Sequence, residues 1–535
     1  MSLGRAPLTR NEQRRAEPIL KHQIAFLRKC NIIKVSQDES AKTLKAFLGS
    51  TMVGPAILFS ASTSDPRMIL LAAGTLLLIV IAYAALGKER LRWKTVGSLT
   101  AFLVLYQVLL KVNYRFFIPD FATRAGDETF WVNQMLLYQT TGSIPLHTLS
   151  QGPGLYAIVS SLSPLFSGQY VETLIGIALV FGSLTVVPVL AMQYSLTESR
   201  NLALLATAIL ASFDVIAYST SIARPTLIAM FLVPLLMYLL VEFRKSAKIV
   251  LWLSFLFLSL LLMFTHPIGW VAFLVAAFSV WLLLGFRSRL EMVGAVVLFS
   301  SYAIALRFVL LETYKIWRTE LLAQTPLAQL SPDLLAIMFV APAFLLLLVD
   351  AAKKTHRFSS GFQFDRIARR RASILVVCAV VLILCAIAYL VFSKYAEYIL
   401  LAYGQFWLFF ALHSWKIPMA GIAVYGLVCV LSRRREEGPL VAVIWLLSMT
   451  VLVIFLVAYL PFRSYPGLLN LDERFYEFAM FPAAIFVAYG LDGIFRKVRN
   501  PVLRVLIVVL FSLFVVPSLL VGMRDPLVIS SATNI

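Results

Sequence analysis

Charge is scarce in this sequence. Only 14% of its 535 residues are Asp, Glu, Lys or Arg, against roughly 25% in a soluble domain, which excludes an ordinary globular fold. Acid is scarcer still, with 27 Asp and Glu against 47 Lys and Arg and a formal net charge of +20. There are four cysteines. Cys30 lies in a polar N-terminal stretch, and Cys378, Cys385 and Cys429 lie in apolar runs. No C-x-x-C spacing occurs, so neither a disulfide framework nor a thiolate metal centre is indicated. Internal repeats and low-complexity tracts are also missing. What the chain has in abundance is apolar sequence, 60% of its residues with a mean hydropathy of +0.86. Disorder is marked by low hydrophobicity, the opposite of this chain. A pI near 9.9 would ordinarily raise nucleic acid as a partner. That reading needs a solvated basic face, for which so apolar a chain has little room, so no nucleic-acid partner is expected.

The composition predicts an all-α, polytopic transmembrane helical bundle. A spanning helix needs about 20 mainly apolar residues, and segments of that kind run 46–61, 69–87, 95–112, 171–194, 201–218, 226–243 and 249–265. Further ones run 267–286, 290–310, 333–350, 373–393, 416–432, 439–460, 477–495 and 501–521, for a total of about 13–15. Gly49, Gly54 and Pro55 interrupt the first, and residues 394–415 read as an interfacial or re-entrant helix.

The Lys/Arg asymmetry of the loops orients the spans. With the N-terminus in the cytoplasm and alternating sides, 34 of the 47 basic residues fall inside and 13 outside, while the acids divide 13 to 14. The excess positive charge is therefore a cytoplasmic, topological signal. Residues 1–45 are polar and basic with no short apolar core, so no secretory signal is expected. Within them His22 to Val35 reads either as a basic amphipathic helix on the anionic leaflet or as a solvated tail. The outer segments hold no N-x-S/T acceptor. The domain plan is a cytoplasmic segment 1–45, a transmembrane hairpin 46–94, a core 95–495 with a long outer loop 113–170, and a last span with a short outer tail, 496–535. Multi-pass insertion in a prokaryotic plasma (inner) membrane follows as the expected location.

Chemistry is sought on the outer side, where ionisable residues are few. The loop 113–170 contains Gly126-Asp127-Glu128, which opens a predicted helix from Thr129 to Thr140 with Trp131 and Tyr138 on it. A carboxylate pair at a helix start is stabilised by the exposed amides and the dipole. It also suits a general base or a metal ligand beside an apolar pocket. Three further patches stand out. Ser219-Thr-Ser-Ile-Ala-Arg224-Pro225 ends in an Arg-Pro pair, and Thr265-His266-Pro267-Ile-Gly269 reads as a tight turn between adjacent spans. Asp472-Glu-Arg474-Phe-Tyr-Glu-Phe-Ala-Met-Phe-Pro482 precedes a late span. Asp214 falls in the outer part of the fifth predicted span, where an ionisable residue is a functional hypothesis by default. Each has a plainer use: Arg474 paired to its acidic neighbours, Arg224 snorkelling at a helix end, His266 in a structural hydrogen bond. Lys111 and Arg307, near span ends, read as snorkelling residues.

These patches resemble the C-type (GT-C) membrane glycosyltransferases, a group that includes protein O-mannosyltransferases and aminoarabinose transferases. The likeness covers residues 95–495 in architecture and only the short patches in sequence. It departs in having two spans ahead of the catalytic-loop helix, and the absence of a WWDYG-like motif argues against an oligosaccharyltransferase. The resemblance implies transfer of a sugar from a polyprenyl-phosphate carrier, embedded among membrane lipids, to a lipid, glycan or protein acceptor on the extracytoplasmic face. Asp127 would be the general base, with Glu128 assisting. Arg224 and Arg474 would bind the departing phosphate, with His266, Asp214, Arg463 and Tyr138 lining the substrate site and Lys394 and Tyr395 near it. No nucleotide cofactor is implied; a divalent metal (Mg or Mn) on Asp127 and Glu128 is the alternative use of the pair. Two other classes compete: a transporter or flippase for lipid-linked saccharides, which needs charged or broken helices near the midplane, and a polysaccharide polymerase or ligase, whose large outer loop falls late in the chain.

Overall fold

The structure, a computed structural model, describes residues 66–86, 91–117, 126–144, 153–166, 168–308, 341–348, 416–432, 437–459, 471–498, 500 and 502–511. Among these residues the chain is all α, with no strand. The helices are α1 (Pro66–Leu86), α2 (Trp93–Phe117), α3 (Gly126–Thr141), α4 (Gly154–Leu162), α5 (Tyr170–Leu184), α6 (Val186–Thr197), α7 (Arg200–Ala211) and α8 (Asp214–Ser219). They continue with α9 (Pro225–Ser246), α10 (Ile249–Thr265), α11 (Pro267–Leu284), α12 (Arg289–Phe308), α13 (Lys416–Ser432), α14 (Glu437–Tyr459), α15 (Leu471–Lys497) and α16 (Val502–Phe511).

Six stretches among the described residues are long and apolar enough to cross a membrane: Trp93–Val112, Tyr170–Thr197, Pro225–Ser246, Pro267–Leu284, Glu437–Ile454 and Phe475–Lys497. The chain is a multi-pass integral membrane protein. Two of the six, α9 and α15, have 78% of their apolar window buried against the rest of the protein, so they form the centre of the bundle and the others surround them. Close approach holds α13 on α15: Gly426 lies against the Phe486 carbonyl and Gly490 against the Ile422 carbonyl, with no space for a Cβ at either. Small residues of this kind let helices approach closely in lipid, where apolar burial does not by itself drive association.

Most predicted spans that fall on described residues reappear within a few residues, and the predicted loop helix Thr129–Thr140 is α3, Gly126–Thr141. The predicted spans 46–61 and 373–393 and the stretch 394–415 lie outside the described residues, and 333–350 and 501–521 are described only in part. Two of the described spans differ. The span 171–194 is divided between α5 and α6 at Thr185. Pro188 lacks the amide that would bond Leu184, and its ring collides with that carbonyl. Thr185 takes up the slack, its hydroxyl donating to the Phe181 carbonyl at 2.8 Å.

The second is a correction. Residues 201–218 do not form one span, because α7 stops at Ala211 and the chain restarts as the six-residue α8. Twelve helical residues cover about 18 Å, short of a hydrocarbon core of about 30 Å. The break is stabilised from outside. Tyr106 and Gln107 on α2 donate to the Ala211 carbonyl at 3.2 and 3.1 Å, taking the place of the amide of the next turn. The Ser212 hydroxyl bonds back to the Ile209 carbonyl at 2.5 Å. Irregular backbone at membrane depth is tolerated only where protein or water satisfies it, and the mid-α2 side chains do this here.

The two ends of the bundle differ chemically. At one, Arg244 of α9, its side chain 2% exposed, pairs with Glu291 and reaches Glu437 at 2.9 Å and the Gly285 carbonyl at 3.1 Å. Glu291 also accepts from Trp281 Nε1 at 2.9 Å and the Arg287 amide at 2.7 Å. Nearby, Lys245 bridges to Glu198 at 3.0 Å. This ion network ties together the ends of α9, α11, α12 and α14. The candidate site lies at the opposite end.

Candidate site at the Arg224 end of the bundle

Two X-Pro steps build the site. A proline disfavours the helical region for the residue before it and fits the first helical position after it. Arg224 is accordingly extended (φ −145°, ψ 166°) ahead of Pro225, which starts α9. His266 (φ −151°, ψ 86°) alone links the end of α10 to Pro267, which starts α11. This is the tight turn expected from the sequence. The two starts are side by side, since Thr226 Oγ1 lies 3.2 Å from His266 Nε2. His266 Nδ1 accepts the Gly269 amide at 2.9 Å, capping α11. A ring nitrogen that accepts an amide carries no proton, so in the neutral ring Nε2 holds the hydrogen and donates to Thr226.

Two more helix starts reach this place. The first turn of α3 brings Glu128, 2% exposed, against the loop between α8 and α9, where its Oε2 accepts the Ala223 amide at 3.0 Å. The first residue of α4, Gly154, packs on the end of α10; a Cβ there would stand 2.6 Å from Thr265 Oγ1 and 3.0 Å from the Phe264 carbonyl. Four helix N-termini thus gather around residues 219–224 and 264–269. Each contributes the positive end of a dipole, equivalent to about half an elementary charge, and such ends are ready-made anion sites.

Arg224 is one cation of the cluster. It is 8% exposed, donating from Nη2 to the Ser219 hydroxyl at 3.3 Å and lying 3.5 Å from Glu477 Oε1 of α15. Ser219 in turn donates to the same carboxylate at 2.6 Å. Planar guanidinium groups match phosphate oxygens in a fork, and Glu477 holds this one at a fixed place. Beneath the loop, Lys111 of α2 is fully buried, its ammonium donating to Gln107 Oε1 at 2.7 Å and Thr220 Oγ1 at 3.2 Å. The expectation that Lys111 snorkels is therefore wrong: the side chain turns into the bundle, because the broken segment supplies acceptors there.

Of the residues expected at a site, the structure brings Glu128, Arg224 and His266 together. Asp127 is the backbone neighbour of Glu128 in the first turn of α3, and Arg474 lies one turn before Glu477 on α15; their side chains lie outside the described residues. So does that of Asp214, which starts α8 after the break, and that of Arg307. Arg463, Lys394 and Tyr395 fall wholly outside the described residues, as do Cys30, Cys378, Cys385 and the His22–Val35 segment. Tyr138 is ten residues beyond Glu128, about 15 Å along the helix. It packs edge-on against Tyr156 at 5.1 Å and beside Tyr170 at 5.4 Å, which fixes α3 on α4 and α5.

Sequence reasoning missed Glu477, Ser219, Gln107 and Lys111 as members of the cluster. The Arg474-x-x-Glu477 spacing, one face of a helix, was the available signal for the first. Ser219 opens the patch that runs to Pro225, and nothing local marks Gln107 or Lys111.

No family model matches the chain, and no curated protein matches it. Among the solved structures similar to it in outline are two of one archaeal enzyme. One is the archaeal oligosaccharyltransferase AglB from Archaeoglobus fulgidus in complex with an inhibitory peptide and a dolichol-phosphate, 14% identical with a TM-score of 0.49, over 81% of this chain and 56% of that one. The other is the Archaeoglobus fulgidus oligosaccharyltransferase in the apo form, 15% identical with a TM-score of 0.49, over 80% of this chain and 56% of that one. The chain spans a little over half the length of either, and at that similarity no residue or activity is carried across.

Proposed function

We propose that this protein is a membrane glycosyltransferase that moves a sugar from a polyprenyl-phosphate carrier to a lipid, glycan or protein acceptor on the extracytoplasmic face. The observation that carries the reading is the gathering of four helix N-termini about residues 219–224 and 264–269, where Arg224 is buried with Glu128 and Glu477 nearby, at the end of the bundle away from the Arg244 network. A polyprenyl-phosphate sugar keeps its tail in the bilayer and presents an anionic head at the membrane edge. Dipoles and a guanidinium at that level suit such a head.

In the proposed step an acceptor hydroxyl or amine attacks the anomeric carbon. The bond from that carbon to the phosphate oxygen breaks, and polyprenyl phosphate leaves with the bonding electrons and one more negative charge. Asp127 takes the acceptor proton. Arg224 and Arg474 stabilise the charge that grows on the leaving phosphate, an interaction stronger in the transition state than in the ground state. Glu128 aids by holding the Ala223 amide, and Glu477 by aiming Arg224. Asp127 and Glu128 would be the residues to hold a Mg or Mn ion, and no proposed step is routed through one.

The test is transfer from a radiolabelled polyprenyl-phosphate sugar in proteoliposomes, comparing the wild type with Asp127→Asn. Loss of transfer with normal insertion and folding supports the reading; full retained activity overturns the assignment of the base.

A second reading draws on the α7–α8 break. Discontinuous helices near mid-membrane are a mark of transporters, and this one lies against the middle of α2. A flippase for lipid-linked saccharides would translocate them in the same proteoliposomes with no covalent transfer, which decides between the two.

A further inference from the structure

We propose that Lys111 is a positioning residue for Arg224: with Tyr106 and Gln107 it makes one face of α2 a strut that sets the height of the segment 211–224. The inference rests on the glycosyltransferase reading and deepens it. Tyr106 and Gln107 hold the start of the broken segment through the Ala211 carbonyl. Lys111, one turn further along α2, holds its far part through Thr220, four residues before Arg224. Gln107 joins the two, since its amide serves Ala211 while its carbonyl oxygen accepts from Lys111. Gly182 closes the arrangement from α5. A Cβ on it would overlap the Thr220 carbonyl and stand 2.5 Å from Lys111 Cε, so α5 and the strut together leave this part of the loop one place to lie.

Thr220, which Lys111 holds, is the chain neighbour of Ser219, which accepts from Arg224 and donates to Glu477. Lys111 therefore acts through the backbone of residues 220–224. Its ammonium spans Gln107 on its own helix and Thr220 on the loop, so its loss releases the Thr220 part of the loop while Tyr106 and Gln107 still hold Ala211.

The experiment measures sugar transfer as a function of donor concentration, and inhibition by the product polyprenyl phosphate. The proteins are the wild type, Lys111→Met, Thr220→Val and the double variant, each in proteoliposomes, with thermal melting in detergent alongside. Each single variant is expected to lower kcat/KM for the donor and to weaken product inhibition about tenfold, the effect of one lost hydrogen bond with a partner left behind. The acceptor KM is expected to stay unchanged. The double variant is expected to be no worse than the single ones, because both remove the same contact. Lys111→Arg, which keeps donors at that position, is expected to recover part of the loss, and Gly182→Ala to reproduce it from α5. Thr220→Val changes only a hydroxyl to a methyl and keeps the comparison available should Lys111→Met fail to assemble. Additive losses, single effects within twofold of wild type, or equal loss of acceptor and donor kinetics overturn the positioning role. A wild type that transfers no sugar overturns the glycosyltransferase reading instead, so the two failures are distinct.

Discussion

Removing Arg244 is expected to destabilise the protein far more than removing Arg287, although both pair with Glu437. Arg244 has a side chain 2% exposed, and its partner Glu291 is 1% exposed. Arg244→Met keeps the length of the side chain and deletes the charge. Glu291 would keep Trp281 Nε1 and the Arg287 amide but lose its cation, and the Gly285 carbonyl would lose its donor. Breaking a buried pair from one side costs about 3–5 kcal/mol, mostly from the charge left behind. Arg287 has a side chain 49% exposed, and solvent screens such a pair to about 0–1 kcal/mol. The double variant Arg244→Met/Glu291→Gln removes both charges and should recover a large part of the loss. The assay is reversible unfolding in mixed detergent micelles with increasing SDS, followed by circular dichroism. An Arg287→Met loss as large as that of Arg244→Met, an Arg244→Met cost below about 1 kcal/mol, or a double variant worse than the single would each show that the buried pair does not hold this end of the bundle.

Two further outcomes follow from the other end of the bundle. Glu128→Gln keeps an oxygen to accept the Ala223 amide and should retain most sugar transfer, whereas Glu128→Ala leaves that buried amide unsatisfied, at a cost of about 1–3 kcal/mol, and should lower transfer about tenfold or more; equal loss in both variants would instead make the Glu128 charge essential. His266→Ala removes the cap on Gly269 and should cost about 1 kcal/mol of thermal stability, whereas His266→Asn, which supplies a side-chain oxygen at the cap, should cost less, as read by melting in detergent.

How much of this was legible beforehand depends on the range of the interactions. The spans around 226–243 and 249–265 were read almost to the residue because apolar length is a local property and Pro225, Lys248 and Pro267 bound them. The same held for the α3 start, where Gly126-Asp127-Glu128 marks a helix opening, and for the His266 turn, where one residue precedes a proline. The break at Ser212 could not be seen. Residues 201–218 are apolar and contain no proline, and what stops the helix is a pair of donors on α2, Tyr106 and Gln107, about a hundred positions earlier. For the same reason Lys111 looked like a span-end residue: in a sequence its neighbours are apolar, and its partner Thr220 comes from the segment that the break displaces.

By itself the sequence determined that this chain lives in a membrane, that it is helical, and where most of its helices start and stop. These follow from hydropathy, proline and charge, which act within a turn or a loop. Only the tertiary structure decided which ends meet. It brought the starts of α3, α4, α9 and α11 to one place, set Glu477 against Arg224, and turned Lys111 inward beneath the loop. The physical reason is that a buried charge or an unpaired carbonyl must find a partner wherever the packed helices supply one, and that partner has no fixed distance along the chain.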